Sequence, residues 1–131
     1  MRLADFEGTW IFDRVIDDAL SGQATATGTA RIGQGAYLEE TTLTLPDGTV
    51  LNGTRKYLWA EVEGGIEVRF HDGRPFHTIR FTAPADAHWC DPDTYNVTYD
   101  FDAYPKWTST WAVKGPRKDY RMVTRYRKQA D

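Results

Sequence analysis

The sequence predicts an all-β protein: a single closed up-and-down antiparallel barrel of about eight or nine strands. Three observations carry this. Apolar residues recur at period two in short runs, turn residues separate the runs, and no segment shows the apolar spacing of an amphipathic helix. Many strands joined by short connections, with no helix to cover an exposed edge, favour closure over an open sheet. A β-sandwich is the alternative architecture.

Leu3 to Glu7 suits one helical turn, and the first strand runs from Trp10 to Ile16. The second covers Thr25 to Ile32, where Gly28 and Ala30 are small enough for a bend or a close approach. Gly33-Gln34-Gly35 turns the chain into a third strand, Tyr37 to Leu45. Pro46-Asp47-Gly48 is a strong hairpin signal joining it to a fourth, Val50 through Trp59. Gly64-Gly65 precedes Ile66 to Phe70, and Asp72-Gly73-Arg74-Pro75 leads into Phe76 to Thr82. Ala83 to Thr94 reads as the longest irregular stretch. Tyr95 to Phe101, Trp107 to Val113 and Asp119 to Lys128 complete the meander, with Gly115-Pro116 between the last two.

The 131 residues suit one domain, 1–131, long enough to bury a core without metal or disulfide staples. A content of 40% hydrophobic and 14% aromatic residues places the chain among globular rather than disordered proteins. The single Cys90 excludes an internal disulfide, and the N-terminus lacks the apolar run of a signal peptide, so the expectation is cytoplasmic. No segment approaches the roughly 20 apolar residues of a membrane helix, and no membrane partner is expected. Net charge is -3, yet Arg117, Lys118, Arg121, Arg125, Arg127 and Lys128 crowd the C-terminus. Without a nucleic-acid motif beside it, that cluster reads as the solvated face of the last strand, and no nucleic-acid partner is expected.

Three charges fall on the apolar phase of the strands. Trp10, Phe12, Arg14 and Ile16 share a face, as do Tyr37, Glu39, Leu43 and Leu45, and Arg55, Tyr57 and Trp59. The same alternation places Val97, Tyr99, Trp111 and Met122 inside. Charge turned toward a core is tolerated only when paired, wet or liganded. Arg14 and Arg55 present donor forks suited to a carboxylate or phosphate. In the structural alternative, Glu39 bridges both arginines, with tyrosine hydroxyls or water completing the network. Tyr57, Trp59, Tyr95, Tyr99, Trp107 and Trp111 either line an aromatic cavity or form core.

His88, Cys90 and Asp93 carry zinc-type donors, with His77 a possible fourth. A lone His-x-Cys without a second close ligand pair argues against a metal site, and none is expected. On the competing reading Asp93 caps a turn, Cys90 packs as a small hydrophobe and His88 sits at the pocket mouth. His77 or His88 has the chemistry of a general base near neutral pH, Tyr95 or Tyr57 that of a hydroxyl donor, and Arg14 or Arg55 that of an anion stabiliser. No Gly-x-Ser-x-Gly and no phosphate-cradling loop accompanies them.

Gly8-Thr9-Trp10 opening the first strand, with an arginine near the end of the last, resembles the lipocalin and fatty-acid-binding (calycin) superfamily. There the tryptophan closes one barrel end and an arginine packs over it. Arg125 and Arg127 stand nearest that position, although the phase of Tyr120, Met122 and Tyr126 puts both on the opposite face. A likeness across nearly the whole chain is carried by Gly8-x-Trp10-x3-Arg14, Gly28-x-Ala30, Tyr37-x-Glu39-Glu40, Arg55-x-Tyr57, Asp72-Gly73-Arg74-Pro75-Phe76-His77, His88-x-Cys90-x2-Asp93-x-Tyr95 and Trp111-x3-Gly115-Pro116-Arg117-Lys118-Asp119-Tyr120. These resemble a family of small uncharacterised bacterial domains of calycin-like barrel type, which implies the fold and supplies no reaction. The opening motif also resembles haem-binding nitrobindins. The glycines that follow their tryptophan are replaced by Ile11-Phe12-Asp13, and no histidine lies beyond His88, so neither haem nor another cofactor is expected.

The leading expectation is a barrel that binds a small acidic or amphipathic molecule through Arg14, Glu39, Arg55, Tyr57, His77, His88, Tyr95 and Tyr99. The alternative is a barrel isomerase, lyase or hydrolase using His77 or His88 with Tyr95 and Arg14 or Arg55. A regulatory or structural module using its outer face is the third.

Overall fold

Period-two alternation produces a single antiparallel sheet in the computed structural model, which describes residues 1–82, 85–90 and 92–130, with the backbone alone described at Ala85, Asp86, Trp89 and Cys90. After a 3₁₀ turn at Leu3–Phe6 come β1 (Gly8–Asp18), β2 (Gly22–Gly33), β3 (Ala36–Thr44), β4 (Val50–Val62) and β5 (Gly65–Phe70). Then follow β6 (Pro75–Arg80), β7 (Ala85–Cys90), β8 (Asp93–Asp100), β9 (Trp107–Gly115) and β10 (Lys118–Lys128). Their order is β6-β5-β4-β3-β2-β1-β10-β9-β8-β7. The two outermost strands, β6 and β7, come side by side, so the meander nearly closes into a barrel.

The described residues form ten strands rather than the expected eight or nine, because the stretch read as irregular contains β7. It pairs with β8 from Ala85↔Thr98 to Cys90↔Asp93. Its first four residues, Ala-Asp-Ala-His, are small or polar, which hid it beside the turn residues that follow Cys90.

Apart from Arg55, every inward residue expected from the alternation is buried or half-buried, from Trp10 and Phe12 on β1 to Met122 on β10. Gly28 marks a close approach: a Cβ there would run into the Glu40 carbonyl and the Phe12 ring. One barrel end is plugged by the 3₁₀ turn. Phe6 packs on Trp10, Trp59, Phe81, Phe101 and Trp107, and the Trp10 indole N–H donates to the Phe6 carbonyl at 2.8 Å.

The cation over the first-strand tryptophan is neither arginine suggested by the resemblance. Trp10 and Lys128 are register partners, and Lys128 Nζ lies 4.6 Å from the Trp10 ring centre while donating to the Glu7 carbonyl. Arg125 and Arg127 are exposed, as the alternation of β10 requires. The rest of the C-terminal basic cluster is exposed as well.

Candidate functional site

Small residues on β2 create the polar floor. Ala24, Ala26, Gly28 and Ala30 face inward, so the long side chain of Arg14 on β1 passes over β2 and reaches Glu39 on β3. Nη1 and Nη2 donate to Oε2 and Oε1 at 2.8 and 2.7 Å, and Nε donates to Thr124 Oγ1 at 2.7 Å. Tyr37 and Thr41 hydroxyls also donate to Glu39, and the Tyr37 hydroxyl meets that of Tyr126 at 2.8 Å. Arg14 and Glu39 are 5% and 3% exposed, so this is a fully desolvated, bidentate pair.

Burial alone would raise the Glu39 pKa. The bonds and charge of Arg14, helped by both hydroxyls, outweigh burial and hold it at about 2. Burial likewise opposes the charge on Arg14, yet the bond to Glu39 raises its pKa above the ordinary arginine value. Burial pushes the Tyr37 and Tyr126 phenols up, so both hydroxyls stay protonated and available as donors.

Above this floor lies a narrow cavity lined by Tyr57, Trp59, Val68, Phe76, His77, Tyr99, Trp107, Ser109, Trp111 and Met122, together with Arg14, Tyr37, Glu39, Arg55 and Tyr126. Its volume is about 30 Å³. That admits a water or two, not a drug-sized body, because the aromatic rings pack across it. His77 Nε2 and the Tyr99 hydroxyl are hydrogen-bonded at 2.9 Å on one wall. Trp107 stacks on Tyr126 with ring centres 3.8 Å apart.

Register explains the opening. β3 runs beside β4 from Val50 to Leu58, but β5 pairs with β4 only from Tyr57 to Val62. The wall is therefore lower on that side. Arg55 lines the cavity at this gap and is exposed, not buried on the floor as its phase implied. No carboxylate among the described residues forms an ion pair with it, so Glu39 does not bridge two arginines; its oxygens are taken by Arg14, Tyr37 and Thr41. Burial raises the Tyr57 pKa, opposed by the positive charge of Arg55 nearby.

Phe70, Phe76, His88, Tyr95, Trp111 and Tyr57 form the aromatic cluster at the mouth, with Phe70 and Phe76 stacked at 4.5 Å and His88 edge-on to Phe76 at 5.5 Å. The structure thus joins Arg14 with Glu39, and His77 with Tyr99, and puts Arg55, Tyr57, His88 and Tyr95 at the rim. The Tyr95 hydroxyl turns to neither histidine among the described hydrogen bonds: it accepts from Lys118 Nζ at 3.2 Å, and Lys118 also pairs with Asp93 at 3.1 Å. Asp93 is thereby used at the β8 and β10 ends. The Cys90 side chain lies outside the described residues, among which no metal-type cluster occurs. Thr41, Thr124 and Ser109 were not singled out from sequence; their inward phase was the available signal.

Fold and site together define a calycin-like barrel with a charge-compensated floor and a cationic mouth. The chain belongs to the family of unknown function DUF6314, whose model matches residues 6–128. No curated protein matches it. It is similar to the solved structure of an S-type phycobiliprotein lyase from Guillardia theta, with a TM-score of 0.65 over 98% of this chain and 91% of that one at 8% identity. At that identity the likeness is one of fold.

Proposed function

We propose that this protein binds a small amphipathic acid, with the acid group on Arg55 at the mouth and the apolar body among Tyr57, Phe76 and Trp111. One observation carries the reading: of the two arginines lining the cavity, Arg14 is neutralised by Glu39, whereas Arg55 has no carboxylate partner among the described residues. A guanidinium beside an aromatic surface suits an anion attached to an apolar body. Since the cavity is water-sized, the body enters by displacing rings at the mouth, where the wall is low.

The test is to incubate the purified protein with cell extract and identify retained molecules by native mass spectrometry. Retention of an organic acid supports the proposal, and retention of neutral or cationic molecules alone contradicts it. A second reading, a barrel enzyme, is supported by the His77–Tyr99 pair on the cavity wall. The barrel shared with a phycobiliprotein lyase is one on which an enzyme is built, which favours examining the retained compound for conversion as well as capture.

A further inference from the structure

The same difference in strand length that opens the mouth leaves part of β4 with one neighbour. Residues 50–56 pair with β3 alone, and all seven are exposed. The direction of their backbone groups follows from one bond. The Trp59 N–H donates to the Gly35 carbonyl at 2.9 Å, across the β3 side. In an antiparallel ladder the direction alternates, so Tyr57, Arg55, Gly53 and Leu51 also turn toward β3. Val50, Asn52, Thr54 and Lys56 turn their N–H and C=O groups the other way. Below Tyr57 the corresponding groups are taken by β5; above it none of the described strands lies there.

Natural sheets blunt such an edge with proline, a bulge, a covering segment or charged side chains, lysine above all. Residues 50–56 contain no proline, their register with β3 is continuous, no described strand covers their other edge, and their charge is confined to Arg55 and Lys56 at one end. The charge on this edge is polarised. Arg55 and Lys56 stand at one end, and Val50 and Leu51, 57% and 48% exposed, stand at the other.

From this we infer that the free β4 edge is a docking site for an extended segment of a partner protein, added as a further antiparallel strand. Lying antiparallel, the segment would begin opposite Lys56 and end opposite Val50. Charge complementarity then asks for acidic residues in its N-terminal half and apolar residues in its C-terminal half. Such a strand would sit above the β5–β6 turn, beside the cavity mouth, so a bound partner would also narrow the route past Arg55. The inference goes beyond the ligand reading and stands without it.

The test uses the whole protein and a nine-residue synthetic peptide with two glutamates near its N-terminus and two leucines or valines near its C-terminus. Amide hydrogen exchange is followed at Asn52, Thr54 and Lys56. Binding should slow exchange at these amides, and the peptide with reversed sequence should bind at least about 10-fold more weakly. Thr54→Pro removes an N–H that does not serve the β3 ladder, so it should retain the circular dichroism spectrum of the parent and lose the peptide. A second variant, Lys56→Glu, should shift preference from the glutamate peptide to its lysine counterpart. Unchanged exchange at those amides with millimolar peptide overturns the inference. So does protection that appears without peptide and rises with protein concentration, since the edge then belongs to a second copy of this chain.

Discussion

Arg14 and Glu39 meet over β2 as a two-pronged ion pair, at 2.8 and 2.7 Å, between strands that are not hydrogen-bonded neighbours. The pair exists because β2, lying between β1 and β3, offers only small inward side chains near its crossing. It neutralises Arg14, and of the two arginines lining the cavity it leaves Arg55 without a carboxylate partner among the described residues.

Breaking the pair from one side leaves an uncompensated buried charge. Glu39→Ala is therefore expected to lose about 3 kcal/mol of stability, the scale for such losses. Replacing both partners by apolar residues, Arg14→Met with Glu39→Leu, should cost less than Glu39→Ala alone. Urea melts of the three proteins check this, and a parent-like midpoint for Glu39→Ala contradicts it.

Acid should weaken the fold through the same carboxylate. The Glu39 pKa is depressed from the ordinary 4.5 to about 2 in the folded protein, so its contribution is complete above about 4.5 and is lost as pH falls toward about 2. Thermal melts between about pH 5 and about pH 2 should show a drop in the parent that is smaller in the Arg14→Met, Glu39→Leu protein. Equal drops in both would assign the acid sensitivity to other groups.

Gly28 tests the geometry that makes the pair possible. Gly28→Ala places a methyl group against the Glu40 carbonyl and the Phe12 ring, and should destabilise by about 2 kcal/mol, in the range of core overpacking. Gly53→Ala, where an added Cβ meets nothing within 4 Å, is the matched control and should melt close to the parent. A difference of less than about 0.5 kcal/mol between the two, the usual size of a surface effect, contradicts the close packing.

Alternation made most of this barrel legible. The phase of Trp10, Phe12 and Arg14, and of Tyr37 and Glu39, set two charges on one interior before any contact was known. It could not say that they would meet, since that depends on the size of the residues on β2. Arg55 shares the inward phase but is exposed, because exposure depends on where β5 stops, which a strand's own alternation does not contain. β7 was missed for want of an apolar run. Lys128 was missed because the resemblance called for an arginine, whereas the register of β10 offers the cation two residues to one side of the strand's last inward ring, Tyr126.

The lysine over Trp10 is worth little to stability because it is exposed. Lys128→Met should cost about 1 kcal/mol at most, the scale of an exposed cation over a ring, while shifting the tryptophan emission. A loss several times larger would make the Glu7 carbonyl contact, and closure of the barrel end, the dominant role of this residue.

The central claim is that Arg55 at the mouth, and not Arg14 on the floor, receives the acid group of a ligand. Tryptophan fluorescence titration with a series of aromatic and aliphatic carboxylic acids, each beside its own primary amide, tests it most directly. The account predicts that at least one acid binds, that its amide binds at least about 10-fold more weakly, and that Arg55→Ala removes this preference while leaving the melting temperature near that of the parent. Acid and amide binding equally well to the parent, or an acid preference that survives in Arg55→Ala, would contradict it.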